Sequence, residues 1–339
     1  MSAFLSLASS SDQPAKGSTI TPDVTSGHLT HLTHDQLAAL ASFKDILAKA
    51  HLYSPPNDPD RPRPSHDEPT LLRFLRARRF DPQKASKQFA DAEAWRAKHT
   101  VETLYATFPV DEFENTRRFY PRWTGRRDKN GLPLYVYRIG SLTTPLQKEL
   151  HAIPPERRYQ CIIALHEFMT RFVLRLCSHL PRHVEPTPIS SVTTIIDLAD
   201  VSLSLLWSLR SHLQEASTLA TANYPETLST IVVVNTPSFF PTVWGWIKPW
   251  FDEGTRRKVH VLGKDSGPAL RTFIDPQDLP KVYGGELEWK FEDQPILDDA
   301  IKGVITEMPK GPVDFEDGKV VRPRRPADLP QENGDAVES

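Results

Sequence analysis

The pattern of apolar and polar positions divides the chain into helices and strands that alternate through most of its length. Thr33 and Gln36 fit a capping box, and Leu37, Leu40, Lys44 and Leu47 follow at helical spacing, which predicts a helix to about Ala50. Residues 55–69 hold six prolines and read as an irregular loop. Leu71, Leu72, Phe74 and Leu75 then mark a helix buried among arginines. Asp81 followed by Pro82 opens another, lined by Ala85, Phe89, Ala92 and Trp95. These segments form a small helical lobe.

The pattern changes after residue 105. Asp128 to Gly131 reads as a turn and Leu134 to Ile139 as a strand. A long helix runs from Pro154 to about Cys177, a second strand from Val192 to Leu198, and a helix from Leu203 to Ala222. Ile231, Val232, Val233 and Val234 dominate a third strand, Thr230 to Asn235, and an unbroken β-branched run of that kind suits a strand buried on both faces. Val259 to Leu262 is the fourth strand. Strands alternating with helices predict an α/β fold with a largely parallel sheet.

One segment departs from ordinary amphipathicity. Between the third and fourth strands lie Phe239, Phe240, Trp244, Trp246, Trp250 and Phe251. At helical spacing Phe240, Val243, Trp244 and Ile247 share one side, while Phe239, Trp246 and Trp250 fall on others. A helix apolar nearly all round is either fully buried or faces lipid. Charges stand only at the edges of this region: Glu226 before the strand, then Lys248, Asp252, Arg256, Arg257 and Lys258. That arrangement suits a ligand with an apolar body and a polar head.

Composition narrows the function classes. A net charge of −2 over 339 residues exerts no global pull on nucleic acid or anionic membranes. No run of about 18 apolar residues exists to span a bilayer. The N-terminus lacks the basic region of a secretory signal, and Cys161 and Cys177, sixteen residues apart in one predicted helix, imply no disulfide framework. A reducing, cytoplasmic setting follows. The chain has no glycine-rich phosphate loop, no GxSxG elbow and no HExxH pair, so neither catalysis nor a metal site is expected.

Several motifs in order carry a resemblance. LLRFLRARRFD (71–81) with Trp95, FYPRW (119–123), DKNGLPLYV (128–136), IIDLAD (195–200), NYPE (223–226), VVNTPSFFPTVWGWIKPWFD (233–252) and LPKVYGG (279–285) together resemble the CRAL-TRIO lipid-binding family, close to the fungal phosphatidylinositol/phosphatidylcholine transfer proteins of the yeast type. The resemblance implies a helical N-terminal lobe at 33–105 and a lipid-binding domain at 106–295. In the latter a mixed, largely parallel sheet floors an apolar pocket under a gate helix. Residues 1–32 are then a disordered tail and 296–339 a mostly disordered extension. The gate would be Phe239, Phe240, Val243, Trp244, Ile247, Trp250 and Phe251.

By the same resemblance, Arg78, Glu226, Thr255 and Lys258 occupy positions that hold an inositol phosphate head group, and all four residue types are retained. The positions for a second ligand, phosphatidylcholine, are altered. Tyr135 and Thr194 keep their type, whereas Val192 stands for a serine, and His166 and Thr124 stand for tyrosines. The resemblance thus implies a soluble, non-enzymatic carrier of phosphatidylinositol and a possible second lipid. Such a carrier needs no cofactor beyond the bound lipid, visits intracellular membranes transiently and can present lipid to a phosphoinositide kinase. Two alternatives stay open. The pocket can hold another hydrophobe such as a sterol or haem, with His166 as a polar group or iron ligand, or the protein can act as a regulatory lipid sensor whose tails recruit partners.

Overall fold

The computed structural model describes residues 25–56, 64–182, 187–250 and 253–324. Three helices form the small lobe: α1 (His34–Lys49), α2 (Glu68–Ala77) and α3 (Pro82–Lys98). Thr33 and Gln36 form the capping box expected of them, and Asp81 caps α3 ahead of Pro82. The proline-rich loop is shorter than its composition suggests. Asp67 already caps α2, whose second position accommodates Pro69, and residues 57–63 lie outside the described chain. Leu40, Phe43, Leu47, Leu71, Leu72, Leu75 and Phe89 make this lobe's own core. Val101 and Tyr105, placed in the same lobe by sequence, instead join the larger core.

The chain continues through α4 (Val101–Thr107), α5 (Val110–Thr116), β1 (Arg122–Arg127), β2 (Pro133–Arg138) and α6 (Thr144–Ala152). The long helix expected next is α7 (Pro155–Phe168), a π-turn over Met169–Val173, and α8 (Leu174–His179). Then come β3 (Val192–Asp197), α9 (Leu203–Asn223), β4 (Leu228–Val234), α10 (Phe240–Ile247), α11 (Glu253–Arg257) and β5 (Val259–Val261). The five strands lie in the order β1-β2-β3-β4-β5; β1 pairs antiparallel with β2 and every other pair is parallel.

Strand register decides which side chains meet the ligand space. Tyr135, Thr194, Ile231 and Val259 are aligned across four strands, and Tyr137, Ile196 and Val233 form the next such row. Side chains two apart on a strand share a face, so both rows project to one side. Leu134, Val136, Ile195 and Val232 project to the other, where they are buried. A register shift between Val192 and Thr193 lets Val192 and Leu228 extend the first face.

Two expectations about the ends need correction. Residues 25–32 are not a tail: they form a short turn, Leu29–His31, and Leu29 and Leu32 pack on the small lobe. The remainder of that expected tail, residues 1–24, lies outside the described chain. Nor is the chain unstructured beyond residue 295. After α12 (Gly267–Leu270), α13 (Asp299–Lys302) is followed by a hairpin of β6 (Asp314–Glu316) and β7 (Lys319–Val321), with Val313 and Phe315 buried. Tertiary partners explain why composition misled. Arg171 grips Asp314 with two bonds of 2.8 and 2.6 Å, and Tyr105 Oη donates to the Val313 carbonyl at 2.7 Å.

Candidate functional site

The inner face of the sheet, α9 and α10 enclose a cavity of about 340 Å³. Tyr135, Tyr137, Val192, Thr194, Ile196, Ile231, Val233 and Val259 are its floor. Leu206, Leu213, Ala216 and Ala220 of α9 make one wall, and Phe240, Val243, Trp244, Trp246, Ile247 and Trp250 make the cover. Because the lining is almost wholly aliphatic or aromatic, the cavity suits acyl chains or another apolar body.

The cover differs from the single helix read from sequence. It is eight residues of α-helix followed by a 3₁₀ turn, Lys248–Trp250. Pro249 accounts for the change, since its ring clashes with the carbonyl one turn back and its nitrogen carries no proton. Phe239 is the N-cap of α10 and does not line the cavity, whereas Trp246 does. Phe251 lies outside the described residues.

Of the four expected head-group residues, two are brought into contact. Lys258 Nζ donates to Glu226 Oε2 at 2.8 Å and to the Leu228 carbonyl at 2.8 Å. Both side chains are largely but not wholly buried. Neither residue lines the cavity itself, but their chain neighbours Thr227 and Val259 do, as does Leu228, whose carbonyl Lys258 also bonds. Glu226 has a φ of 58°, a left-handed conformation that is unfavourable for a side chain of its kind. Such strain persists where surrounding structure fixes it and gathers at ligand sites. Arg78 is not part of this contact. It is exposed at the C-terminal end of α2, bonds the Ala77 carbonyl, and lines an open cleft of about 830 Å³ between α3 and α9. Its neighbour Arg79 pairs at 3.0 Å with Glu253 of α11, the helix that carries Thr255. The Thr255 side chain lies outside what the structure describes.

The altered second-ligand positions divide. Tyr135, His166, Val192 and Thr194 all line the cavity. His166 Nδ1 lies 3.0 Å from the Ile162 carbonyl, and its ring stacks on Tyr224 at 4.9 Å. A carbonyl only accepts, so Nδ1 carries the proton and Nε2 is left as an acceptor. Burial lowers the His166 pKa, against the Ile162 carbonyl and Glu167, and keeps the ring neutral. Thr124 is elsewhere: it is fully buried and donates to the Leu134 carbonyl at 3.1 Å.

Sequence reasoning passed over other cavity residues. The Tyr120 and His212 rings meet at a tilt of 55° with centroids 5.3 Å apart, and neither Tyr120 Oη nor His212 Nδ1 has a hydrogen-bond partner among the described residues. Burial, then Arg158 and His151, pulls the His212 pKa down to about 4, so it is neutral at physiological pH. Trp207 and Arg210 of α9 stand at the mouth. The FYPRW motif contains Tyr120, but nothing in its pattern says that the ring turns to a cavity.

A helical lobe set against a five-stranded, mostly parallel sheet that floors an apolar cavity beneath a short aromatic helix defines an α/β protein built around an enclosed hydrophobic-ligand site. The chain belongs to the CRAL/TRIO family. The CRAL/TRIO domain model matches residues 120–285, and the CRAL/TRIO N-terminal domain model matches 39–91. Over 267 residues the chain is 31% identical to Sec14 cytosolic factor of Schizosaccharomyces pombe, spanning 79% of this chain and 88% of that one. It is 32% identical over 275 residues to the phosphatidylinositol/phosphatidylcholine transfer protein SFH9 of Arabidopsis thaliana, spanning 80% of this chain and 45% of that longer one. Among solved structures, the crystal structure of Sfh5 superposes with a TM-score of 0.54 at 18% identity, covering 79% of this chain and 93% of that one, a likeness of fold. Among the described residues no helix is long and apolar enough to cross a membrane.

Proposed function

We propose that this protein is a non-enzymatic carrier that takes one phosphatidylinositol into the apolar cavity and exchanges it between membranes. The observation that carries the reading is the Glu226–Lys258 pair, which lies outside the apolar lining but next in the chain to Thr227 and Val259, which belong to it. The relatives named as phosphatidylinositol/phosphatidylcholine transfer proteins support it. In this reading Lys258, Arg78 and the Thr255 hydroxyl donate to the lipid phosphate and Glu226 accepts from inositol hydroxyls, all bonds strengthened by charge. Acyl burial stabilises the complex by about 0.8 kcal/mol per methylene. Release therefore requires an equally apolar acceptor, which a membrane supplies.

The cavity lies near the lower end of the range for ligand sites, about 300–1,000 Å³, so two long acyl chains require the α10 cover to move outward. A carrier of this kind works in the cytoplasm, touches membranes transiently and can offer its lipid to a phosphoinositide kinase. Native mass spectrometry with lipid extraction, joined to a vesicle exchange assay, tests the reading. Wild-type protein should carry phosphatidylinositol, and Lys258→Ala should lower its exchange about tenfold or more. The same substitution should cost about 1–3 kcal/mol of stability, because it leaves the largely buried Glu226 carboxylate without its partner. Exchange unchanged in Lys258→Ala would sink the head-group site. A sterol, another phospholipid or a Soret-absorbing ligand recovered in place of phosphatidylinositol would sink the ligand.

A further inference from the structure

Away from the lipid cavity, the two lobes and the terminal hairpin enclose a second pocket of about 410 Å³. Its sides come from the start of α2, from the π-turn and α8, from residues 188–190, and from the turn between β6 and β7. That volume falls within the range of small-molecule sites. None of the lipid-site residues named above borders it.

Arg73 of α2 lines this pocket and is only 7% exposed. Its Nη2 donates to Thr70 Oγ1 at a long 3.4 Å, and its Nη1 is buried with no partner among the described residues. The two carboxylates whose fields reach it are engaged elsewhere, Glu167 by Arg96 at 2.8 Å and Asp67 by Arg175 at 3.8 Å. An unpaired charge out of water is costly, and a guanidinium does not escape that cost by losing its proton. The groups around Arg73 show what would complete it. Arg175 of α8 stands at the rim with its side chain 43% exposed. The buried Ser190 Oγ accepts from Arg76 Nη2 at 3.1 Å and still has its own proton to give. Formal charges in the lining balance, but their positions do not. Arg73 is at the buried floor, whereas Asp67 caps α2 at the exposed rim and Asp317 is exposed on the hairpin turn. Leu174, Pro188 and Phe315 make one wall apolar.

We propose that this pocket binds a small phosphomonoester, its oxyanion taken by Arg73, Arg175 and Ser190 and its apolar body by Leu174, Pro188 and Phe315. A phosphomonoester carries a charge of about −2 at neutral pH and so offsets two guanidiniums, which a single carboxylate does not. Its three terminal oxygens accept from donors on separate elements, and the guanidinium fork matches their geometry. Because the contacts come from both lobes and the hairpin, the bound ligand ties the three together and stabilises the fold by mass action.

The test titrates full-length protein with phenyl phosphate and with inorganic phosphate at constant ionic strength, read by calorimetry and by melting temperature. Wild type should bind one phenyl phosphate per chain and melt higher in its presence. Inorganic phosphate, which lacks the apolar body, should bind about tenfold more weakly. Arg175→Gln should weaken phenyl phosphate binding about tenfold, the equivalent of one charge-assisted hydrogen bond. Arg118→Gln, whose side chain is equally exposed at 43% but pairs with Glu149 of α6, should bind as wild type. Arg73→Met should abolish binding. Without ligand it should melt no lower than wild type, because it removes an unpaired buried charge. Arg175 is exposed, so its variant decides the matter even where Arg73→Met fails to fold.

A response that does not saturate, or equal affinity in Arg175→Gln and Arg118→Gln, would show an adventitious ion only and overturn the site. Equal affinity for phenyl phosphate and inorganic phosphate would overturn the phosphomonoester. A large fall in the melting temperature of ligand-free Arg73→Met, with phenyl phosphate binding intact, would make Arg73 a counter-charge of the fold and remove it from the site. None of these readouts involves lipid exchange. A failed pocket therefore leaves the phosphatidylinositol assignment standing, and a failed assignment leaves the pocket standing.

Discussion

The junction between the lobes and the mouth of the cavity are both contacts between separate elements, held by opposite chemistry. At the junction, Arg96 of α3 donates to Glu167 of α7 at 2.8 and 3.1 Å, Tyr224 donates to the same carboxylate at 2.6 Å, and Arg171 stands 3.6 Å away. Trp95 Nε1 donates to Tyr159 Oη at 2.8 Å alongside. At the mouth, α10 rests on α9 and the sheet through apolar and aromatic surface. A buried charged network tolerates one geometry, because any displacement strands a desolvated charge. Apolar contact has no such direction and is readily exchanged for other apolar surface. The molecule thus places directional bonds where the lobes must stay in register and non-directional ones where a lipid must pass.

The sharpest way to break this contrast is at Glu167. Glu167→Gln leaves Arg96 and Arg171 without their shared buried carboxylate and should cost about 3–5 kcal/mol. Chemical denaturation measures that loss directly. Exchange per folded molecule should change little. A loss below about 1 kcal/mol would mean that the junction is held by packing, as the mouth is, and the contrast would fall.

Acid probes the same network without mutation. Burial alone raises the Glu167 pKa, but Arg96, Arg171 and the Tyr224 hydroxyl outweigh it and hold the carboxyl at about 2, below its ordinary 4.5. Its depressed value makes its contribution complete above about pH 4.5 and lost as pH falls toward 2. Asp128, in the turn before β2, behaves oppositely. Burial raises its carboxyl to about 6 from 3.8, outweighing the bonds from Thr193, Leu132 and Asn130. Its contribution is complete below about pH 3.8 and is lost as pH rises through 6. Stability measured against pH should therefore rise modestly from pH 7 to about 4.5 and fall below it. Asp128→Asn should flatten the first limb and Glu167→Gln the second.

These regions also differ in how far they could be read from residues. Periodicity located β2 to β5 within a residue or two, because β-branched runs such as Ile231 to Val234 admit few other structures. It missed β1, whose sequence RWTGRR has no apolar run. That edge strand owes its course to Gly125, which has a φ of 85° and passes so close to the Ile296 backbone that a β-carbon would lie 2.7 Å from it. Glu226 and Lys258 are far apart in sequence, so motif resemblance marked them and only the strand register put them in contact. Trp207 was not legible at all. The run LSLLWSLRSHL carries apolar residues on several sides, and which one stays outside depends on where the sheet and α10 lie. The terminal hairpin was hidden for a related reason, since single residues such as Phe315 become core only against the rest of the fold.

The smallest expected effect separates two ways in which the mouth can open. Gly245 lies in the middle of α10, and a β-carbon built there meets nothing within 4 Å. Its φ is not in the left-handed range, so Gly245→Ala introduces no backbone strain. Replacing an exposed helix-interior glycine with alanine stabilises the helix by about 0.8–1 kcal/mol, because glycine has more backbone freedom to lose. If α10 swings as a rigid unit about its ends, where Pro237 and Pro249 restrict the chain, the added helix stability is common to the open and closed states and exchange keeps its wild-type rate. If the helix itself bends or frays at Gly245 to let a chain past, that same energy opposes opening and exchange slows about fourfold. The apolar, non-directional contacts beneath α10 favour rigid motion, since they slide without penalty while eight residues of hydrogen-bonded helix do not. Lipid exchange by Gly245→Ala should therefore match wild type, with a slightly raised melting temperature. A slowed rate would mean that the opening movement resides in the helix backbone, and the contrast with the lobe junction would then lie in helix stability as well as in surface chemistry.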